Sequence, residues 1–233
     1  MLRINMTQPL VIAIDGPAGS GKSTVAQMLA ERLGLIYVDS GATYRAAALK
    51  VLEAGVPLDD EQEIVRVVAS AEIRFVPRRP QPQVLLDGND VTPKIRTRRV
   101  TQAASHVSRL PAVRQKLIAL QRSLLKEPGV VMEGRDIGTV VFPDAPLKIF
   151  LKADPEERAR RRVQQNQEQG RPSKLQDILA EISKRDQRDA ERQASPLVPA
   201  AGAAILDSTR LSAEEVVDEI LELARKKNLP GAR

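Results

Sequence analysis

The strongest constraint on this chain is a glycine-rich stretch near its N-terminus. An apolar run at 10–14 precedes the stretch, and residues 25–33 after it repeat apolar side chains at helical spacing. The fixed positions of the pattern G-x-x-x-x-G-K-[ST] are occupied by Gly16, Gly21, Lys22 and Ser23. A strand, this loop and a helix in that order predict a phosphate-binding loop at the carboxyl end of a buried strand.

Such a loop suits a nucleoside triphosphate. Glycines let the backbone approach an anion closely, and successive N–H groups add to the dipole of the following helix. Lys22 can reach the outer phosphates, and the Ser23 hydroxyl can join the coordination of Mg²⁺. A chance glycine-rich turn is the alternative, which the flanking strand and helix disfavour. The residues expected to contact the phosphates are Gly16, Pro17, Ala18, Gly19, Ser20, Gly21, Lys22, Ser23 and Thr24.

The composition of the chain limits the kinds of ligand and partner that it can bind. The chain has 233 residues and no cysteine, so disulfides, thiolate metal sites and cysteine nucleophiles are excluded. A net charge of +6 favours anionic partners. Two Tyr, three Phe and no Trp disfavour stacking platforms for single-stranded bases, and a small polyphosphate substrate explains the charge as well. No apolar run approaches about 18 residues, and the first nine residues do not resemble a signal peptide, so we expect a cytoplasmic protein.

Apolar strand-like runs alternate with helical segments along most of the chain. This β-α-β alternation around one phosphate loop predicts an α/β fold with a parallel sheet and helices on both faces. Five strands are expected, at 10–14, 35–38, 129–132, 147–151 and 204–206.

Residues 56–100 break the alternation. A helix is expected at 61–70, and two strands at 73–76 and 84–86 flank a proline-rich tip at 77–82. Two adjacent strands with a short connection predict an antiparallel insert outside the parallel sheet.

Polar residues follow the second strand, where ligands of parallel sheets usually lie. Asp39, Ser40, Tyr44 and Arg45 are candidates for a binding site there. The alternative is purely structural, with Asp39 or Ser40 capping a helix, Tyr44 packing and Arg45 solvated. The local sequence favours neither interpretation.

A second polar group follows the strand at 129–132. Glu133 can hold the shell of a magnesium ion, and Arg135 with Asp136 can bind a phosphate and a sugar or base. The alternative is a turn with an internal salt bridge, but three charged residues around two glycines make a poor structural turn. Arg114 lies in the first turn of a helix, where a cation opposes the helix dipole, and this hints at a ligand.

Two basic helices are expected near the C-terminus. Arg158, Arg161 and Arg162 share one helical face, which is either a solvated or nucleic-acid-binding face or a mobile lid over a transferring phosphate. In the next helix, expected to run from 174 to about 194, Arg185, Asp189 and Arg192 share a face, with internal ion pairing as the alternative.

These blocks together resemble the bacterial cytidylate kinase family over nearly the whole chain. The phosphate loop alone is generic, whereas the Gly-Arg-Asp block at 134–136 combined with the insert is specific. The matching blocks are 14–24, 39–45, 95–97, 133–145, 185–189 and 196–209.

The resemblance implies phosphoryl transfer from ATP, with Mg²⁺, to CMP or dCMP. It also implies a core of about 8–38, 100–153 and 175–228, a nucleoside-monophosphate-binding subdomain of about 39–99 and a lid of about 154–174. A monomer that acts on free nucleotides, and neither on nucleic acid nor at a membrane, is expected. A kinase of another small acceptor, such as UMP or shikimate, is the main alternative, and a basic nucleic-acid-binding module is a more distant one.

The resemblance also assigns roles to single residues. Substrate binding is implied for Ser40, Tyr44, Arg45, Arg114, Arg135, Asp136, Arg185, Asp189 and Arg192. For in-line transfer between two phosphates we expect catalytic roles for Lys22, Arg135, Arg158, Arg161 and Arg162. Ser23 would bind the metal, and Glu133 would do so through water. Glu133 departs from the family pattern, in which the shorter Asp is expected, and the difference alters its reach to a metal-bound water.

Overall fold

The computed structural model describes residues 9–76, 78, 82–168, 170–192 and 194–231. The first eight residues and most of the proline-rich tip at 77–82 lie outside the described residues. Among the described residues, none of the helices combines the length and apolar character that crossing a bilayer needs.

The first part of the chain is a regular β-α-β-α succession. Its elements are β1 (Leu10–Asp15), α1 (Lys22–Leu33), β2 (Ile36–Asp39) and α2 (Ser40–Glu53). Every residue of β1 is buried, as expected for a central strand of a covered parallel sheet. Gly34, with a φ of 67°, ends α1 in the left-handed conformation that glycine adopts at no cost.

The inserted region contains helices and a small antiparallel sheet. Its elements are α3 (Glu61–Ser70), β3 (Ile73–Val76), β4 (Gln83–Leu86), β5 (Asn89–Asp90), a 3₁₀ turn (Lys94–Arg96), α4 (Arg98–Val107) and α5 (Pro111–Ser123). The predicted antiparallel pair of strands is confirmed, and a third strand, β5, pairs with β4 through a turn at Asp87 and Gly88. Pro111 occupies the first turn of α5, a position at which the missing N–H costs nothing.

The last part of the chain returns to the parallel sheet. Its elements are β6 (Gly129–Gly134), a short π-helix (Ile137–Val141), β7 (Leu147–Lys152), α6 (Pro155–Glu168), α7 (Leu175–Ala190), β8 (Ala204–Asp207) and α8 (Ala213–Lys226). The helix expected to reach about residue 194 ends at Ala190, so Arg192 lies beyond it. The π-helix was not predicted, because no periodicity in five residues distinguishes it from a turn.

The five parallel strands lie in the order β2-β6-β1-β7-β8, which confirms the predicted fold class. Helices α1 and α8 cover one face of this sheet, and the π-helix covers part of the other. The carboxyl ends of the three neighbouring strands β2, β6 and β1 are level, since Asp39 pairs with Glu133 and Asp15 with Gly134. The polar residues that follow these strands therefore meet at one edge of the sheet.

Candidate active site

The phosphate loop has the backbone geometry that its glycines predict. Gly16, Gly19 and Gly21 have φ values of 151°, 79° and 90°. A Cβ atom on Gly16 would lie 2.0 Å from the carbonyl oxygen of Leu151, so a side chain cannot be accommodated there. Gly21 directly precedes α1, so the loop runs into the N-terminal end of that helix, where backbone N–H groups lack intrahelical partners. All nine residues expected to contact the phosphates lie in this loop or in the first turn of α1.

Lys22 is buried beneath the loop. Its Nζ donates a hydrogen bond to the Pro17 carbonyl oxygen at 2.6 Å. Burial lowers the pKa of Lys22 to about 7, and the charges of Arg135 and Arg185 contribute. Lys22 therefore lies within electrostatic reach of two residues expected to bind the acceptor. The residues expected to do so, called the acceptor side below, are Ser40, Tyr44, Arg45, Arg114, Arg135, Asp136, Arg185, Asp189 and Arg192.

Glu133 and Ser23 form the candidate magnesium site. Glu133 is buried at the carboxyl end of β6, and its Oε1 accepts a hydrogen bond from the Tyr37 hydroxyl at 2.7 Å. Burial raises the pKa of Glu133, and the charge of Asp39 adds to the effect, while the charge of Lys22 and the nearby Ser23 hydroxyl oppose it. Among the described residues, no group of three or more acidic, His or Cys side chains could hold a metal. A hydroxyl and a carboxylate fit Mg²⁺. Proteins typically bind this ion through one or two oxygen-bearing side chains, and water and substrate phosphates supply the remaining ligands.

The first group on the acceptor side is a buried ion pair. Arg114 and Asp136 are 3% and 4% exposed, and Nη2 of Arg114 donates a hydrogen bond to Oδ2 of Asp136. Nη1 of Arg114 also donates to the Ser108 carbonyl at 3.2 Å. The Arg114 guanidinium lies 5.5 Å from the centroid of the Tyr44 ring, within cation–π range. The Tyr44 hydroxyl is buried without a hydrogen-bond partner among the described residues.

The second group gathers three arginines around one carboxylate. Asp189 lies 3.0 Å from Nε of Arg135, 3.6 Å from Nη2 of Arg192 and 3.9 Å from Nε of Arg185. Burial and the charge of Arg135 together lower the pKa of Arg185 to about 10, because the opposing charge of Asp189 does not offset them. Nη2 of Arg192 is buried without a hydrogen-bond partner in the described part of the chain. This group therefore carries an excess of positive charge.

The residues at the start of α2 cap this helix and also lie at the edge of the sheet that carries the candidate site. Asp39 accepts a hydrogen bond from the Ala42 N–H at 3.2 Å, so the capping alternative is confirmed for this residue. Burial raises the pKa of Asp39, but the Arg45 guanidinium, 2.6 Å away, outweighs burial and holds the pKa below its usual value. Ser40 is buried beside Gly134, where a Cβ atom would lie 2.5 Å from the Ser40 hydroxyl oxygen.

Arg158 donates hydrogen bonds to the backbone of the phosphate loop and of the segment that follows β7. It is only 4% exposed, and its guanidinium donates to the Ala153 carbonyl at 2.9 Å and to the Ala18 carbonyl at 3.1 Å. It also pairs with Asp186 at 2.6 Å, which ties α6 to α7. In this structure Arg158 is thus bonded to the backbone of the loop.

Arg161 and Arg162 point to different surroundings although they are neighbours in sequence. Nη1 of Arg161 donates to the Ser208 hydroxyl at 3.1 Å, and this hydroxyl donates to the Ser20 carbonyl at 3.0 Å. Arg162 donates to Gln165 at 2.8 Å. Burial lowers the pKa of Arg162, with the charge of Glu181 opposing the shift and the charges of Arg171, Arg45 and Arg96 adding to it. The structure therefore directs Arg158 and Arg161 to the phosphate loop, whereas Arg162 donates within its own helix.

Asp15 is a site residue that the sequence did not reveal. It is the last residue of β1, and its two carboxylate oxygens accept hydrogen bonds from the N–H groups of Ile137 at 2.8 Å and Gly138 at 2.7 Å. Burial raises its pKa to about 6, against the effect of these hydrogen bonds. Asp15 thereby links the strand that leads into the phosphate loop to the segment that follows Arg135 and Asp136. Its place directly before Gly16 was the available signal, but its partners are far along the chain.

A parallel sheet with a phosphate loop at the end of β1, beside a second cluster of cations, defines a phosphotransferase of the P-loop kinase class. The family model described as cytidylate kinase matches residues 12–226, and the chain belongs to that family. The resemblance identified in the sequence is therefore confirmed.

Similar proteins agree with this assignment. The cytidylate kinase of Azotobacter vinelandii (strain DJ) is 49% identical over 227 residues, which cover 96% of this chain and 99% of that protein. The cytidylate kinase of Salmonella choleraesuis (strain SC-B67) is 49% identical over 217 residues, covering 93% and 96%. A crystal structure of an uncharacterized protein from Eubacterium ventriosum, 14% identical, has a TM-score of 0.51 over 93% of this chain and 98% of that chain, a similarity of fold alone.

Proposed function

We propose that the protein transfers the γ-phosphoryl group of ATP to CMP and dCMP, giving ADP and CDP or dCDP. One observation carries the proposal: the phosphate loop and the segment of Arg135 and Asp136 follow neighbouring strands, β1 and β6, so that two anion-binding regions meet. Lys22 accordingly lies within electrostatic reach of Arg135 and Arg185. A kinase that joins two phosphate-bearing substrates needs this arrangement. The relatives named cytidylate kinase support the choice of acceptor.

The two groups of the acceptor side suit different parts of a nucleotide. The excess charge around Asp189 suits an anionic phosphate and its neighbouring sugar hydroxyls. The Arg114–Asp136 pair offers donors and acceptors of balanced charge beside the Tyr44 ring, which suits an uncharged, planar base. We assign Ser40 and Arg45 to the acceptor phosphate as well, because both lie in the first two turns of α2 and the charge of Arg45 acts on Arg185.

The reaction needs positioning and charge neutralisation more than proton transfer. An oxygen of the acceptor phosphate attacks the γ-phosphorus as the bond from that phosphorus to the β–γ bridging oxygen breaks and ADP leaves. The attacking oxygen is already anionic, so no strong general base is required. Lys22 and the N–H groups at the start of α1 hold the donor, and Arg135 holds the acceptor against it.

Ser23 and Glu133 would hold Mg²⁺, the latter through a water molecule. When bound, the ion supplies charge neutralisation on the β- and γ-phosphates.

We further propose the division into a core, a nucleoside-monophosphate-binding subdomain of about 39–99 and a lid of about 154–174. Arg158, Arg161 and Arg162 would neutralise charge on lid closure and exclude water, which would otherwise hydrolyse ATP. The protein would act as a cytoplasmic monomer on free nucleotides and not on nucleic acid.

The proposal is tested by coupled ADP release with ATP, Mg²⁺ and a panel of acceptors: CMP, dCMP, UMP, AMP, GMP and shikimate. We expect CMP and dCMP to give the highest kcat/KM. A higher kcat/KM with UMP or shikimate would contradict the acceptor assignment. ATP binding without acceptor-dependent ADP release would contradict kinase activity itself.

A further inference from the structure

Tyr37 contacts the carboxylate of the candidate magnesium site directly. It lies on β2, is 8% exposed, and donates its hydroxyl hydrogen to Oε1 of Glu133 at 2.7 Å. The two residues are diagonal neighbours on adjacent parallel strands, since Tyr37 pairs with Val131 and Asp39 with Glu133. Both side chains are buried, so water does not compete for this hydrogen bond.

The Ser23 hydroxyl completes a three-residue arrangement. It lies near both the Tyr37 hydroxyl and the Glu133 carboxylate, and its effect opposes the rise in the pKa of each. The serine belongs to the phosphate loop and the tyrosine to the sheet, so the carboxylate is held between a fixed strand and the residue expected to bind the metal.

A glutamate at this position needs such a restraint. Glu133 has one more rotatable bond than the aspartate expected from the family pattern, and side-chain freedom must be lost when the group is fixed. Its carboxylate also lies within electrostatic reach of two cations, Lys22 and Arg45, which compete for it. Without an anchor the carboxylate can turn to either cation and leave Ser23.

We propose that Tyr37 is a positioning residue that holds the Glu133 carboxylate beside Ser23, so that the longer side chain can accept a hydrogen bond from a metal-bound water. The inference rests on the proposed function, because it concerns the magnesium site of that reaction. It assigns a role to a tyrosine on β2 and explains how the chain accommodates glutamate at residue 133.

The test measures how strongly Mg²⁺ improves ADP binding. Calorimetric titration gives the ADP dissociation constant in EDTA and in saturating Mg²⁺, and their ratio is the magnesium factor. We expect Tyr37→Phe to lower this factor about tenfold, the scale typical of a lost partner of a metal ligand. ADP affinity in EDTA should stay within about twofold of wild type, because the loop N–H groups are unchanged.

Two further variants show whether Tyr37 acts through Glu133. Glu133→Gln should lower the magnesium factor to a similar extent, and the double variant Tyr37→Phe/Glu133→Gln should lower it no further. Tyr44→Phe is the matched control, because it removes the other buried tyrosine hydroxyl, on the acceptor side, and should leave the factor unchanged.

The outcomes separate this inference from the proposed function. A wild-type protein whose ADP affinity does not depend on Mg²⁺ would contradict the proposed metal site itself. If wild type shows a magnesium factor and Tyr37→Phe retains it, the positioning role is overturned. This holds whether or not Glu133→Gln lowers the factor. Additive losses in the double variant would show that Tyr37 acts independently of Glu133 and would overturn it as well.

Discussion

The phosphate loop and the acceptor side of the site hold positive charge in different ways. The loop is one continuous stretch, which relies on backbone N–H groups and on Lys22, a cation whose pKa burial lowers to about 7. The acceptor side collects side chains from several elements and pairs them in advance with carboxylates, such as Arg114 with Asp136. The loop therefore depends on local backbone geometry, whereas the acceptor side depends on carboxylates that keep buried cations in place.

The largest expected effect comes from breaking a buried pair. Asp136→Ala leaves the charge of Arg114 uncompensated, and Arg114 is only 3% exposed. The free energy of unfolding should therefore fall by about 3–5 kcal/mol. Lys22→Met is the contrast on the donor side. It should cost little or no stability, since burial disfavours the lysine charge in the folded state.

Urea denaturation at neutral pH measures both variants. The double variant Arg114→Met/Asp136→Leu should recover most of the stability that Asp136→Ala loses, because it removes both charges. Equal losses for Asp136→Ala and Lys22→Met would abolish the distinction between the two regions.

The next effect concerns Asp15, which links the two regions. Its pKa rises from the usual 3.8 to about 6 in the folded protein, so the folded state binds the proton more tightly than the unfolded state does. The stabilisation from this proton is fully present below the unfolded value and is lost as pH rises through about 6. It amounts to about 3 kcal/mol.

Comparison with Asp15→Asn isolates this contribution, because asparagine does not titrate. The difference in unfolding free energy, wild type minus variant, should increase as the pH is lowered from about 7.5 to 4.5. Urea denaturation at several pH values measures it. A difference independent of pH would show that Asp15 does not titrate abnormally in the folded state.

A smaller effect is expected from removing one acceptor cation whose carboxylate stays paired. Arg185→Ala leaves Arg135 and Arg192 beside Asp189, so the fold should survive. The KM for the proposed acceptor CMP should rise about tenfold to a hundredfold through loss of a charge-assisted hydrogen bond, with the KM for ATP little changed. Arg188→Ala on the same helix is the matched control, since Arg188 donates to the Lys184 carbonyl. Equal effects of the two substitutions would refute the assignment of Arg185.

The smallest expected signal is proton uptake on the donor side. At about pH 8 a lysine of pKa about 7 is largely neutral, and bound phosphates favour its charged form, so ADP binding should take up a fraction of a proton. Calorimetry in buffers of different ionisation enthalpy measures this uptake. The same uptake in Lys22→Met would assign it to another group.

The difference between the two regions also explains what the sequence could predict. The phosphate loop was predicted residue by residue, because Gly16, Gly21 and Lys22 act through the local backbone. The five parallel strands were predicted from apolar runs, and the antiparallel insert from its broken alternation. These features depend on neighbours in sequence.

The acceptor side was predicted only as a set of residue types at strand ends and on helix faces. Nothing local indicates that Arg114 pairs with Asp136, that Asp15 accepts from Ile137, or that Tyr37 reaches Glu133. Such contacts follow from strand order, which brings distant segments together. The direction of Arg158 toward the Ala18 carbonyl of the loop likewise depends on how α6 packs against the sheet.

The most direct test of the two-region account is the binding of each substrate measured separately. Calorimetry gives the dissociation constants of CMP and of ADP with Mg²⁺ for wild type, Lys22→Met and Arg192→Ala. The buried Nη2 of Arg192 lies 3.6 Å from Asp189 and makes no hydrogen bond with the described residues. The account predicts that Lys22→Met weakens ADP binding and leaves CMP binding nearly unchanged, while Arg192→Ala does the reverse. If both variants weakened both ligands to the same extent, the donor and acceptor regions would not be separate sites.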